Sequence, residues 1–143
     1  MNKKIIFIPI VLVLTIIFAI FSSDETNNEN NTLFHVTLAD PILYVDGVYS
    51  KKISIDKGEY FFTFVPNGSS PEILSITLIG DEFYFSENYN LIGIPHQTGI
   101  SEYFTWKYQG QKNFMISEMQ DISITINSNG NTLGSVSIYL LEN

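Results

Sequence analysis

Alternation of apolar and polar positions dominates this chain from about residue 33 onward. Its strongest instance is Gly58 to Gly68, Gly-Glu-Tyr-Phe-Phe-Thr-Phe-Val-Pro-Asn-Gly. In an extended strand Tyr60, Phe62 and Phe64 share one face, and Phe61, Thr63 and Val65 share the other. Apolar residues on both faces predict a strand covered on both sides, hence central in a sheet. Lys57-Gly58 opens the run and Pro66-Asn67-Gly68 closes it.

The same grammar recurs on either side. Leu33 to Leu38 puts Phe34, Val36 and Leu38 on the buried parity with His35 outside, and Asp40-Pro41 ends it. Ile42 to Val45 and Val48 to Tyr49 flank Asp46-Gly47, a two-residue hairpin signal. Lys52 to Asp56 turns Ile53 and Ile55 inward, and Ile73 to Ile79 sets Leu74, Ile76 and Leu78 against Ser75 and Thr77. Glu82 to Ser86 follows, with Phe83 and Phe85 inward and Tyr84 outward.

From Glu87 to Ile100 the alternation lapses, and Asn88, Asn90, Gly93, Pro95 and Gly99 predict an irregular crossing. Glu102 to Tyr108 resumes it, with Phe104, Trp106 and Tyr108 inward and Tyr103, Thr105 and Lys107 outward. Trp106 is therefore expected in the core. Gln109-Gly110-Gln111 predicts a hairpin into Asn113 to Glu118, with Phe114 and Ile116 inward. Asp121 to Asn127 aligns Ile122, Ile124 and Ile126; Ser135 to Leu141 aligns Val136, Ile138 and Leu140, leaving Tyr139 outward. No helical period follows residue 21. Eight to ten short strands predict one all-β domain over residues 33–143, an antiparallel β-sandwich or jelly roll.

The N-terminal pattern is different. Residues 1–4 carry Lys3 and Lys4, and Ile5 to Phe21 is seventeen residues broken only by Pro9 and Thr15. As a helix it would span ~25 Å, slightly short of a bilayer core. A small-x-small cleavage site is missing, which favours an uncleaved signal anchor, a transmembrane helix with the lysines on the cytoplasmic side. The alternative is a secreted protein released by signal-peptide cleavage. A pilin-type signal lacks its small residue before the hydrophobic stretch. Residues 22–32 contain no apolar side chain and predict a flexible polar tether. Two N-x-Ser/Thr sequons, at Asn30 and Asn67, are possible glycosylation sites.

Charge and cysteine content narrow the chemistry. After the hydrophobic segment, five lysines face all fifteen acids, and arginine is absent. Nucleic acid, which demands a basic footprint, is excluded as a partner. Without cysteine there are no disulfides, thiolate metal sites, cysteine nucleophiles or lipobox.

His35 and His96 are the only histidines, and Gly-x-Ser-x-Gly is missing, so no catalytic set is assigned and no enzyme is expected. No cofactor is expected either. Asp81-Glu82 and Glu87-Asn88-Tyr89-Asn90 offer hard oxygen ligands in loops, the one opening for a structural calcium ion. Outward Tyr84, Tyr103 and Tyr139, with His96, form the candidate ligand face.

The runs Gly58 to Phe64, Leu74 to Leu78 and Val136 to Leu140 resemble small extracytoplasmic jelly rolls, including carbohydrate-binding modules and accessory domains of secreted proteases. The whole arrangement of anchor, Asn-rich tether and sandwich is similar to uncharacterised membrane-anchored surface proteins of archaeal type. The resemblance implies a cell-surface module that meets a protein or glycan partner. It leaves open a structural or envelope-assembly subunit, or an accessory domain of a membrane enzyme complex. It assigns no functional residue.

Overall fold

Nearly every alternating run becomes a strand, because a period-2 pattern buries its apolar half only when extended. The computed structural model describes residues 31–143, and among them are nine strands and no α-helix. They are β1 (Thr32–Leu38), β2 (Val48–Ile55), β3 (Gly58–Pro66), β4 (Ile73–Ile79), β5 (Tyr84–Thr98), β6 (Ser101–Gln109), β7 (Asn113–Ile116), β8 (Gln120–Asn127) and β9 (Val136–Glu142). The hydrophobic segment 5–21, the sequon at Asn30 and most of the expected tether lie outside the described residues. Among the described residues no helix is long and apolar enough to cross a membrane.

Two antiparallel sheets result, in strand orders β1-β9-β3-β7 and β2-β8-β4-β5-β6. Pairing nests from the chain ends inward: β1 with β9, β2 with β8, β3 with β7, β4 with β5. β3 then pairs with β9, and β4 with β8, which knits these pairs into sheets. The inward faces share one core. Phe62 of the first sheet meets Phe85 and Tyr89 of the second, with ring centroids 6.4 and 6.3 Å apart. Leu74, Ile76, Ile124, Ile126, Ile138 and Leu140 are fully buried around them. Each such side chain contributes about 1.5–3 kcal/mol on leaving water. The arrangement is of β-sandwich type.

Four expectations need correction. β3 is interior to its sheet, as predicted, but its second face is open: Val65 is 62% exposed. That face is filled by side chains suited to strands and to cross-strand pairing, such as Thr63 opposite Tyr139, without a covering layer. The Asp46-Gly47 turn forms, with φ of 52° and 81°, and Val45 and Val48 exchange hydrogen bonds of 2.9 and 3.0 Å. Its first arm, however, is a 3-10 turn at Pro41–Leu43. Asp40 caps that turn by accepting from the Ile42 N–H, and Pro41 presets its first dihedral.

The largest correction concerns Glu87 to Ile100. Residues 84–98 are one continuous strand, paired to β6 through Thr98 opposite Ser101. Pro95 is tolerated because β4 pairs with β5 only as far as Asn90, so Pro95 faces no ladder acceptor on that side. Finally, Gln109-Gly110-Gln111 does not make a hairpin but carries the chain across to the other sheet. A Cβ on Gly110 would lie 2.7 Å from the Tyr89 ring, and the Tyr89 hydroxyl donates to the Gln111 carbonyl at 2.6 Å. Only glycine lets the crossing hug that ring.

Candidate functional site

The β5–β6 hairpin outruns the opposing sheet. Leu91 donates its N–H to the Glu72 carbonyl at 2.8 Å, the last bond that ties β5 to the β4 side. The Phe64–Tyr108 contact, with ring centroids 5.3 Å apart, is the outermost aromatic pair joining the two sheets on this side. Beyond it, Gly93, Pro95, Phe104 and Trp106 keep the inward parity, with Gly93 opposite Trp106 and Pro95 opposite Phe104.

Trp106 is accordingly no core residue. It is 36% exposed and Phe104 is 48% exposed, whereas Tyr108 one step inward is buried. Parity was read correctly; coverage was not. Two glycines hold the indole. A Cβ on Gly93 would fall 2.9 Å from its Cζ3, and one on Gly68 would fall 3.2 Å from Cε2, Cζ2 and Nε1. Phe104 lies 6.0 Å away, tilted by 31°.

Beside this ring opens a cleft of about 660 Å³, bordered by Gly68, Ser69, Glu72, Asn90, Trp106 and Asn131. Its walls are fixed by short polar bonds. The Asn67 side-chain oxygen accepts from Ser69 N–H at 2.8 Å and from Ser69 Oγ at 2.6 Å. Asn131 donates to the Ser69 carbonyl at 3.1 Å and accepts from Gly134 N–H at 2.8 Å. By contrast, Glu72 and Asn90 engage no side-chain hydrogen bond among the described residues, so their polar ends face solvent unspent.

A smaller cleft of about 280 Å³ adjoins it across Glu72, Ile73 and Asn131 and reaches Ser128. Ser128 is 1% exposed, and neither its Oγ nor the buried Tyr44 hydroxyl has a hydrogen-bond partner. Desolvation raises the Tyr44 pKa, and nearby Ser128 opposes this more weakly without reaching hydrogen-bond geometry. Tyr108, whose hydroxyl donates to the Pro71 carbonyl at 2.6 Å, is likewise pushed well up by burial.

The residues singled out from the sequence do not form one face. His96 and Tyr103 are cross-strand partners, stacked at 4.9 Å and 14° on the outer side of the hairpin, with His96 Nε2 2.8 Å from Thr105 Oγ1. Tyr84 is exposed on the same strand but twelve residues away, ~40 Å at ~3.3 Å per residue. Tyr139 belongs to the other sheet, stacked on His35 at 4.2 Å. The two histidines thus sit on separate sheets, each against a tyrosine. Asp81 and Glu82 lie exposed ahead of β5, but Glu87 is within it, opposite Ile76, and Tyr89 is buried, so the expected ligand loop is a strand. Among the described residues no three acidic, histidine or cysteine side chains converge as metal ligands. Asn67 is exposed at its turn.

Sequence reasoning missed Glu72, Asn131 and Ser128, and took Asn90 only for a loop oxygen ligand. Gly68 and Gly93 were the available signals: a glycine amid aromatic strands often marks a close approach.

Fold and site together define an all-β protein with an aromatic rim at one end of its two sheets. No protein-family model, curated protein or solved structure matches the chain.

Proposed function

We propose that this chain is a membrane-anchored extracytoplasmic binding module whose Trp106 end meets a protein or glycan partner. The observation that carries the reading is the aromatic hairpin end, where inward-facing Phe104 and Trp106 lack an opposing sheet. Large aromatic side chains left half uncovered beside a polar cleft are the composition of recognition sites rather than of solvated turns. The strand orders favour a jelly roll, with β6 as an added strand: β1-β9-β3-β7 faces β2-β8-β4-β5, with nested antiparallel pairing. The hydrophobic segment 5–21 serves as a signal anchor, with Lys3 and Lys4 in the cytoplasm and the domain outside. The reading is non-enzymatic.

The test is site-directed photo-cross-linking in intact cells that make the full-length chain. A photoreactive side chain at position 104 should give a specific adduct, and one at exposed Met115 on β7 should not. Equal labelling from both positions, or none from 104, contradicts the proposal and leaves a structural or envelope-assembly subunit, or an accessory domain, as the better account. Protease added outside the cells should release the domain by cutting between residues 22 and 32. Protection until lysis would reverse the orientation.

A further inference from the structure

We infer that the Trp106 cleft is a subsite for neutral saccharide, a deepening that rests on the binding-module reading above. Three features of the cleft converge on uncharged polyols.

The first is the indole. A pyranose ring presents axial C–H groups that pack on an aromatic surface, and Trp106 is held in place yet a third exposed. Holding matters because a ring already fixed by Gly68 and Gly93 loses little freedom when a ligand arrives. The second is an unspent polar end. Glu72 is a carboxylate that can accept from two adjacent sugar hydroxyls, whereas Asn90 borders the cleft from the opposite strand parity to Trp106. Deeper in, the adjoining cleft reaches Ser128, whose hydroxyl is itself closed off from solvent beside Tyr44.

The third is charge. No lysine borders either cleft, and Glu72 is the only ionisable group lining them. Lys107, the one cation on β6, has the opposite parity to Trp106. Phosphate, sulfate and uronic acid groups therefore meet an acid and no counter-charge. The cleft volume of about 660 Å³ falls in the ~300–1,000 Å³ range of small-molecule sites.

Two sources can supply such a ligand: a separate glycan, or a sugar chain linked to Asn67, which directly precedes Gly68 at the cleft edge. The test uses the full-length chain in a detergent without a sugar headgroup. Trp106 is the sole tryptophan, so its emission reports the cleft directly. Neutral gluco-, manno- and galacto-configured oligosaccharides, and an oligogalacturonate, are titrated in turn. At least one neutral series should change the emission saturably, and calorimetry should show Glu72→Gln weakening it at least about tenfold. Trp106→Phe should weaken it as well while the β-type far-UV spectrum is unchanged. If mass spectrometry finds sugar on Asn67, the emission change should instead appear on its enzymatic removal, which assigns the attached source.

No response to any neutral sugar in a chain unmodified at Asn67 overturns the inference, as does tighter binding of the oligogalacturonate. An unchanged affinity in Glu72→Gln does the same. Should the position-104 cross-link to a protein persist while sugars do nothing, the binding module stands and only the saccharide subsite falls.

Discussion

The two halves of β5 carry the same alternation and meet opposite fates. Phe85 and Tyr89 point inward and vanish among Phe62, Phe64 and Phe114, with Tyr89 fully buried. Gly93 and Pro95 point the same way, yet the rings opposite them, Trp106 and Phe104, stay a third to a half exposed. Period-2 patterning selects which face a side chain takes, not whether another layer covers that face. The covered half is where stability is concentrated. The uncovered half leaves aromatic surface in contact with solvent.

Paired truncations give the largest expected contrast. Phe62, fully buried with Phe64, Phe85, Tyr89 and Phe114 around it, should cost about 3–5 kcal/mol as Phe62→Ala. Phe104→Ala should cost about 1 kcal/mol or less. Urea midpoints at constant slope measure both, and equal losses would erase the distinction between the halves.

Next in size is Tyr89→Phe, which strips the donor from the Gln111 carbonyl and should cost about 1–2 kcal/mol. The same residue predicts an alkaline limit. Burial, helped by Glu87, raises the Tyr89 pKa far above its ordinary 10.0. The folded state therefore holds the phenol proton more tightly than the unfolded chain. That stability is fully present below pH 10 and drains away as pH rises beyond it. Thermal midpoints from pH 8 to 11.5 should fall steeply at the top of the range, less so in Tyr89→Phe. Tyr108 shifts in the same direction, so some slope should survive.

Gly93→Ala sharpens the contrast at little energetic cost. Its Cβ would come within 2.9 Å of the indole and must displace it. The emission should move red while stability changes by less than about 1 kcal/mol. An unaltered spectrum would mean the ring does not rest on Gly93.

Strand parity was legible almost throughout, because each register position alternates by local sterics alone. Ile122, Ile124 and Ile126 are buried as read, and so are Leu74, Ile76 and Leu78. Three things were not legible. The residue runs Glu87 to Ile100 looked broken because Gly93 and Pro95 are strand-averse, and only the early end of β4 makes them acceptable. The crossing at Gly110 looked like a hairpin because local turn chemistry does not say which sheet the next strand joins. The cleft was invisible because Glu72, Asn90, Trp106 and Asn131 come from separate turns and strands that meet only after folding. Of the four residues expected on a ligand face, His96 and Tyr103 came together by direct cross-strand pairing, which the reading of Glu87 to Ile100 as an irregular crossing had not foretold.

Acrylamide quenching of Trp106 tests the central claim most directly. The quencher is neutral, so the acidic surface does not repel it, and the sole tryptophan leaves no ambiguity of origin. The native full-length chain should show a quenching constant clearly above zero and below that of the unfolded chain, in keeping with 36% exposure of Trp106. A native constant near zero, with blue emission, would place Trp106 in the core and close the open end on which the account rests.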